Sequence, residues 1–207
     1  FVDGVSHEGQ GNALANVLTG AAGDDTLTGN DENDTLIGGL GADEYDGGSG
    51  TDTVSYASST AAISVDLGTG VTSGGDAAGD TLTDVERLIG SAYGDSLTGS
   101  SDANGLHGGE GSDTLDGGSG DDELEGGRGA DSIIGGSGSD IASYSSSFAG
   151  VVVNLATGTA EWGDATGDTL SGIEDLAGSS YADELTGDAN ANTLSGGDGN
   201  DTLAGGE

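Results

Sequence analysis

GGSGDDELEGGRGAD, Gly117 to Asp131, alternates glycine with charge around one large apolar residue, Leu124. Asp122 and Asp131 each close a G-G-x-G-x-D run, and they lie nine residues apart. Glycine reaches positive φ without steric penalty and Asp accepts main-chain hydrogen bonds in turns, so each six-residue run is turn material. The three residues that follow Asp122, Glu123-Leu124-Glu125, are a minimal strand. In an extended chain Leu124 points one way and its neighbours point the other.

The nine-residue period extends along most of the chain. One run of frames covers Gly11–Ser55, a second covers Gly90–Ser143, and a third begins at Gly178. Their strand centres are Leu18, Leu27, Leu36, Tyr45 and Val54, then Leu97, Leu106, Leu115, Leu124 and Ile133, then Leu185, Leu194 and Leu203. Residues 56–89 and 144–177 are matching spacers, and the whole pattern recurs at an offset of 88: Tyr56 maps to Tyr144, Glu86 to Glu174 and Asp95 to Asp183. The segments are therefore 1–55, 56–89, 90–143, 144–177 and 178–207, three nonapeptide blocks and two spacers. An internal repeat of this kind signals a repeat architecture.

The glycine content and the missing 3.6-residue period exclude helix. Turn, short strand, turn, short strand closes a flattened coil in about 18 residues. Stacked coils give an all-β fold, a parallel β-roll (a β-helix or solenoid) with two flattened parallel sheets and the apolar residues inside. The spacers carry longer alternating runs, at 62–67 and 151–155, and are expected to continue the roll with wider coils. Each residue then meets its counterpart 18 positions on at the strand spacing of about 4.8 Å.

That register pairs Asp25 with Asp43, Asp34 with Asp52, Asp95 with Asp113, Asp113 with Asp131, Asp122 with Asp140 and Asp183 with Asp201. Unpaired carboxylates so close repel, and a hard divalent cation between them reverses the sign. Calcium accepts many oxygens, including the carbonyls that glycine turns expose; magnesium demands octahedral geometry, and zinc would want His or Cys. The cofactor expected is calcium, in several copies, in the turns. Asp121, beside Asp122, reads as a surface charge. Asn16, Asn104 and Asn192 stand at the Asp position of their frames, as weaker sites or caps. Asp80, Glu86, Asp168 and Glu174 fall at spacer turns or strand edges, where they either add ligands or stay structural.

The frames GGEGSDTLD, GGSGDDELE, GGRGADSII and GGDGNDTLA resemble the nonapeptides of the RTX (repeats-in-toxin) family of secreted calcium-binding proteins. The resemblance implies a parallel β-roll, calcium-coupled folding and bacterial export to the medium or cell surface by a type I secretion apparatus. It implies that Asp25, Asp34, Asp43, Asp52, Asp113, Asp122, Asp131, Asp140 and Asp201 take the family's calcium position. The frames holding Ala22, Tyr93 and Tyr181 depart from the pattern.

Composition bounds the partners. With 38 Asp plus Glu against 2 Lys plus Arg the net charge is −36, which argues against nucleic acid and anionic membrane. There is no Cys for a disulfide or thiolate site, and no apolar run long enough to span or insert in a membrane. FVDGVSHEG at the start does not read as a signal peptide, and the chain reads as part of something longer. For catalysis, no G-x-S-x-G elbow occurs, and neither His7 nor His107 has a carboxylate that the coil is expected to force beside it. The segment reads as non-enzymatic. Two functions remain: a structural or adhesive array whose partners are neighbouring rolls, end to end, or a cell-surface or matrix component, and a folding and secretion module attached to an enzyme or toxin. Trp162, present in one spacer only, is expected to cover an apolar edge, with sugar binding as the alternative.

Overall fold

The structure, a computed structural model, describes residues 4–206. Residues 1–3 and 207, which belong to the N-terminal stretch and the last frame read above, lie outside it. In most frames that begin with two glycines, the strand starts after the preceding Asp or Asn and runs on through both of them; before Gly196 it stops at Ser195. Thr114–Ser119 and Glu123–Arg128 are such strands. In each, the central leucine and the first glycine face inward, so side-chain bulk and its absence alternate on the core face.

Parallel pairing at the 18-residue step builds the roll: Leu27 meets Tyr45, Leu106 meets Leu124, and Leu115 meets Ile133. The inner columns are sealed, with Leu36, Tyr45, Leu97, Leu115, Leu124 and Ile133 fully buried. Burying a Leu or Ile side chain stabilises by roughly 1.5–3 kcal/mol, and in a chain so poor in apolar residues this column supplies the hydrophobic part of the stability. Leu203 departs from the expected interior position: it lies on an edge strand, Thr202–Ala204, and is exposed.

One face of the roll is a continuous nine-stranded sheet, from Val17–Ala22 at one edge to Leu194–Ser195 at the other. The opposite face is divided into a four-stranded and a ten-stranded sheet. The spacers cause the division. Each inserts an antiparallel hairpin, Ser64–Asp66 with Val71–Ser73 and Val152–Asn154 with Thr159–Glu161. In the second spacer Thr159 also pairs with Thr169 and keeps the sheet whole; the pairing of the first hairpin stops at Val71–Ser73. A short 3-10 turn follows each hairpin, Gly75–Ala77 and Gly163–Ala165. Trp162 covers no apolar edge: it is 69% exposed.

Candidate metal centres in the turns

The Asp residues of successive coils are joined by a ladder whose rungs are main chain to carboxylate. The N–H of Asp25 donates to Oδ1 of Asp43 (2.8 Å), Asp34 to Asp52 (2.7 Å), and Asp95 to Asp113 (2.7 Å). Asp113 donates to Asp131 (2.8 Å), Asp122 to Asp140 (2.9 Å), and Asp183 to Asp201 (3.1 Å). All of these are buried except Asp201, which is half-buried. The ladder crosses the spacers at longer steps. Asp43 and Asp131 donate to Oδ1 of Asp80 and Asp168, 37 residues on, and Asp52 and Asp140 donate to Oε2 of Glu86 and Glu174, 34 residues on.

Both histidines correct the sequence reading. His7 is in phase with the grid: its N–H donates to Oδ1 of Asp25, and its ring Nδ1 is 3.0 Å from the same oxygen. His107 Nδ1 lies 3.4 Å from Oε2 of Glu125. Each carboxylate is one coil, 18 residues, further on, the same step that pairs the Asp residues. Asp121 is exposed, yet its Oδ1 accepts the N–H of Ser139 at 2.9 Å, so it ties two coils together. Asp24 receives Ala42 and Asn33 receives Thr51 in the same way, which makes a second, outer ladder.

What happens to the other carboxylate oxygen divides the turns into two classes. Oδ2 is buried without a hydrogen-bond partner at Asp25, Asp34, Asp43, Asp52, Asp113, Asp122, Asp131 and Asp140. In every one of these frames the second residue has positive φ. It is glycine in six, as at Gly118 (φ 92°), and Ala21 (φ 95°) or Asn30 (φ 88°) in the others. The frame of Asp201 also has a glycine of positive φ at this place, Gly197 (φ 81°), while in the other frames the second residue is Ser, Asp or Asn and its N–H turns onto the frame's own acceptor. Ser91 donates to Oδ2 of Asp95, with the Ser91 hydroxyl on Oδ1; Ser179 does the same for Asp183. The side-chain carbonyls of Asn16, Asn104 and Asn192 accept the N–H of Asn12, Ser100 and Asp188. Asp95 and Asp183, expected as ligands, thus have protein donors on both oxygens.

The open turns have the chemistry of a hard-cation site. A side chain added at Gly117 would strike Oδ2 of Asp122 and the carbonyl oxygen of Gly135 on the next coil; Gly108 stands in the same relation to Asp113 and Gly126. At Gly29, Gly47, Gly108, Gly117 and Gly135 the missing side chain thus leaves room for a carboxylate oxygen to approach a carbonyl. Among the described residues no group of three or more His, Cys, Asp or Glu could hold a metal, so an ion here completes its shell with main-chain oxygen. Without a cation six of these carboxyls resist ionisation. Burial pushes Asp113 up to about 7 and Asp122 to about 6, and it raises Asp43, Asp52, Asp131 and Asp140 as well.

At the spacers the second oxygen has a different partner. The Tyr56 hydroxyl donates to Oδ2 of Asp80 (2.9 Å), and Tyr144 donates to Oδ2 of Asp168 (3.1 Å). Burial still raises these carboxyls, to about 6 and about 7. The phenols are buried too, and Tyr45 packs edge-on to Tyr56 at 6.4 Å between ring centroids. Sequence reasoning marked the matching tyrosines but did not join them to the ladder. The signal was there in outline, a tyrosine set 24 residues before an Asp in both spacers.

A family model for the RTX calcium-binding nonapeptide repeat matches residues 10–45, 19–54, 75–115, 107–142 and 177–207, well over half of the chain. No curated protein matches it. Periodic G-G-x-G-x-D turns, a parallel roll with an 18-residue coil, and buried Asp oxygens facing carbonyls all agree with that match. The chain belongs to the RTX calcium-binding nonapeptide-repeat family.

Proposed function

We propose that this chain is the calcium-binding roll of an extracellular structural or adhesive protein, folded by calcium after secretion from a bacterium. The observation that carries the reading is the set of eight buried Asp residues whose Oδ2 atoms lack a partner, all in open turns. Left unpaired, a buried carboxylate costs far more than one hydrogen bond returns. Bound calcium supplies the positive charge and oxygen-seeking coordination that these atoms lack. The residues we assign to it are Asp25, Asp34, Asp43, Asp52, Asp113, Asp122, Asp131 and Asp140, with Asp201 in the same frame type.

The chain's own groups do the rest. Oδ1 of each Asp registers the neighbouring coil, and in most of these frames the first glycine gives its Oδ2 access to a carbonyl. Ser91, Ser179, Tyr56 and Tyr144 satisfy carboxylates where no ion is assigned. The five segments then act as three metal-dependent blocks at 1–55, 90–143 and 178–207, held together by two spacers with protein donors of their own. Outside the cell calcium is plentiful; inside, the repelling tracks keep the chain open for export.

Duplication of an 88-residue unit, which adds length by repeating the same turns, supports an array over a single folding module attached to an enzyme. The segment is itself a calcium-binding repeat and not an enzyme. Calcium titration followed by far-UV circular dichroism tests the reading, with a cooperative gain of β signal expected. Sequence flanking the segment separates the two parents: further 88-residue units favour the array, and a single non-repetitive catalytic domain favours the secretion module.

A further inference from the structure

The two 88-residue units share a backbone plan, and one of the places where their surfaces differ gathers aromatic and charged side chains. Trp162 of the second unit corresponds to Gly74 of the first, Phe148 to Thr60, Arg128 to Leu40 and Glu110 to Ala22. The first unit builds the same hairpin and 3-10 turn without any of these side chains, so the fold does not require them.

Trp162 is the chain's single tryptophan, and it adopts φ 66° where its counterpart is a glycine at φ 77°. A left-handed backbone strains any L side chain, and such strain persists where something other than stability keeps it. The indole is 69% exposed and Phe148 is 57% exposed. Their segments meet where Ser147 Oγ accepts the N–H of Asp164 (3.0 Å), next to Gly163. The Arg128 guanidinium sits 5.3 Å from the Phe148 ring centroid and 3.5 Å from Glu110.

An open cavity of about 260 Å³ is lined by His107, Glu110, Arg128, Ser146 and Asp164; Arg128 joins it to Phe148, and Trp162 precedes Asp164 by two residues. Asp164 is only 6% exposed, and its Oδ1 has no hydrogen-bond partner. A buried, unpartnered acceptor on a residue of a cavity wall calls for a donor.

We propose that Trp162, Phe148 and Asp164 form a binding site for a neutral glycan. Exposed aromatic faces offer a platform for the C–H face of a sugar ring, Asp164 Oδ1 accepts a sugar hydroxyl, and Arg128 and Glu110 supply a donor and an acceptor at the rim. A metal ion suits the cavity less well. Arg128 already places positive charge beside Asp164. Polyanionic glycans are opposed by the chain's charge of −36. The site needs the second spacer folded but is otherwise independent of how calcium is distributed among the turns.

Trp162 is its own reporter. The calcium-saturated chain is titrated with maltohexaose, cellohexaose, mannohexaose and xylohexaose while tryptophan emission is followed, with circular dichroism on the same samples. The expected result is a saturable change with at least one of them, and calorimetric affinity for it reduced tenfold or more in Trp162→Gly and clearly in Phe148→Thr and Asp164→Ala. Trp162→Gly and Phe148→Thr install the residues of the first unit, so circular dichroism and calcium stoichiometry stay unchanged. A full β signal with no response to any of the four sugars overturns the site and leaves the calcium reading standing. Binding that survives all three substitutions overturns it as well.

Discussion

The N–H of Asp113 donates to Oδ1 of Asp131, one coil on, while Oδ2 of Asp131 is buried with no partner. One carboxylate thus does two separable things: one oxygen sets the coil register, and the other awaits a cation. Asp131→Asn keeps an acceptor for Asp113 but removes the charge. Its calcium affinity should fall by about tenfold or more. Asp121→Ala removes only the exposed contact to Ser139 and should cost less than about 0.5 kcal/mol, with calcium affinity unchanged. Isothermal titration of both variants checks this, and equal losses would mean that Asp121 is a ligand.

The second residue of each frame should control metal occupancy. Gly118 holds φ 92° in the open turn of Asp122, and a side chain added there meets the carbonyl oxygen of Ser100. Gly118→Ser should therefore disrupt that turn and lower calcium stoichiometry. Ser91→Gly removes the hydroxyl from Oδ1 of Asp95 and permits the open conformation, so stoichiometry should hold or rise. Equilibrium dialysis with radioactive calcium gives both counts.

Tyr56→Phe and Tyr144→Phe should weaken the spacers without changing the calcium count. Each leaves a buried carboxylate oxygen of Asp80 or Asp168 without its donor, at a cost of about 1–3 kcal/mol. Urea unfolding at saturating calcium reads the loss. A fall in calcium stoichiometry instead would place an ion at Asp80 or Asp168.

Acid should partly replace calcium. Asp113, Asp122 and Asp168 are raised to about 7, about 6 and about 7 by burial, against 3.8 in the unfolded chain. The calcium-free folded state therefore binds more protons than the unfolded state between those limits. Its stability is fully present below about pH 4 and is lost as pH rises through 6 to 7. In chelator, circular dichroism should show β signal growing as pH falls from 7.5 to 4.5. With calcium present the sign reverses, because protons compete for the same oxygens.

The period of nine and the apolar centres made the coil legible before any coordinates: the 18-residue step follows from them, and Leu106 against Leu124 realises it. The same step also placed His7 beside Asp25 and His107 beside Glu125, contacts missed because only Asp residues were carried along it. Asp95 looked like any other track member, because a pattern of residue types does not display where an N–H points. That direction depends on φ at Ser91, and the difference between Ser and Gly at the second position was its only trace in the sequence. The divided sheet was not legible at all. It turns on whether one hairpin strand reaches the next coil, as Thr159 reaches Thr169.

The central claim is that metal binding is folding. Far-UV circular dichroism of the chain at pH 7.5, first in chelator and then through a calcium titration, tests it most directly. The account predicts little β signal in chelator and a cooperative rise with calcium that monovalent salt at equal ionic strength does not reproduce. A full β signal in chelator would contradict it.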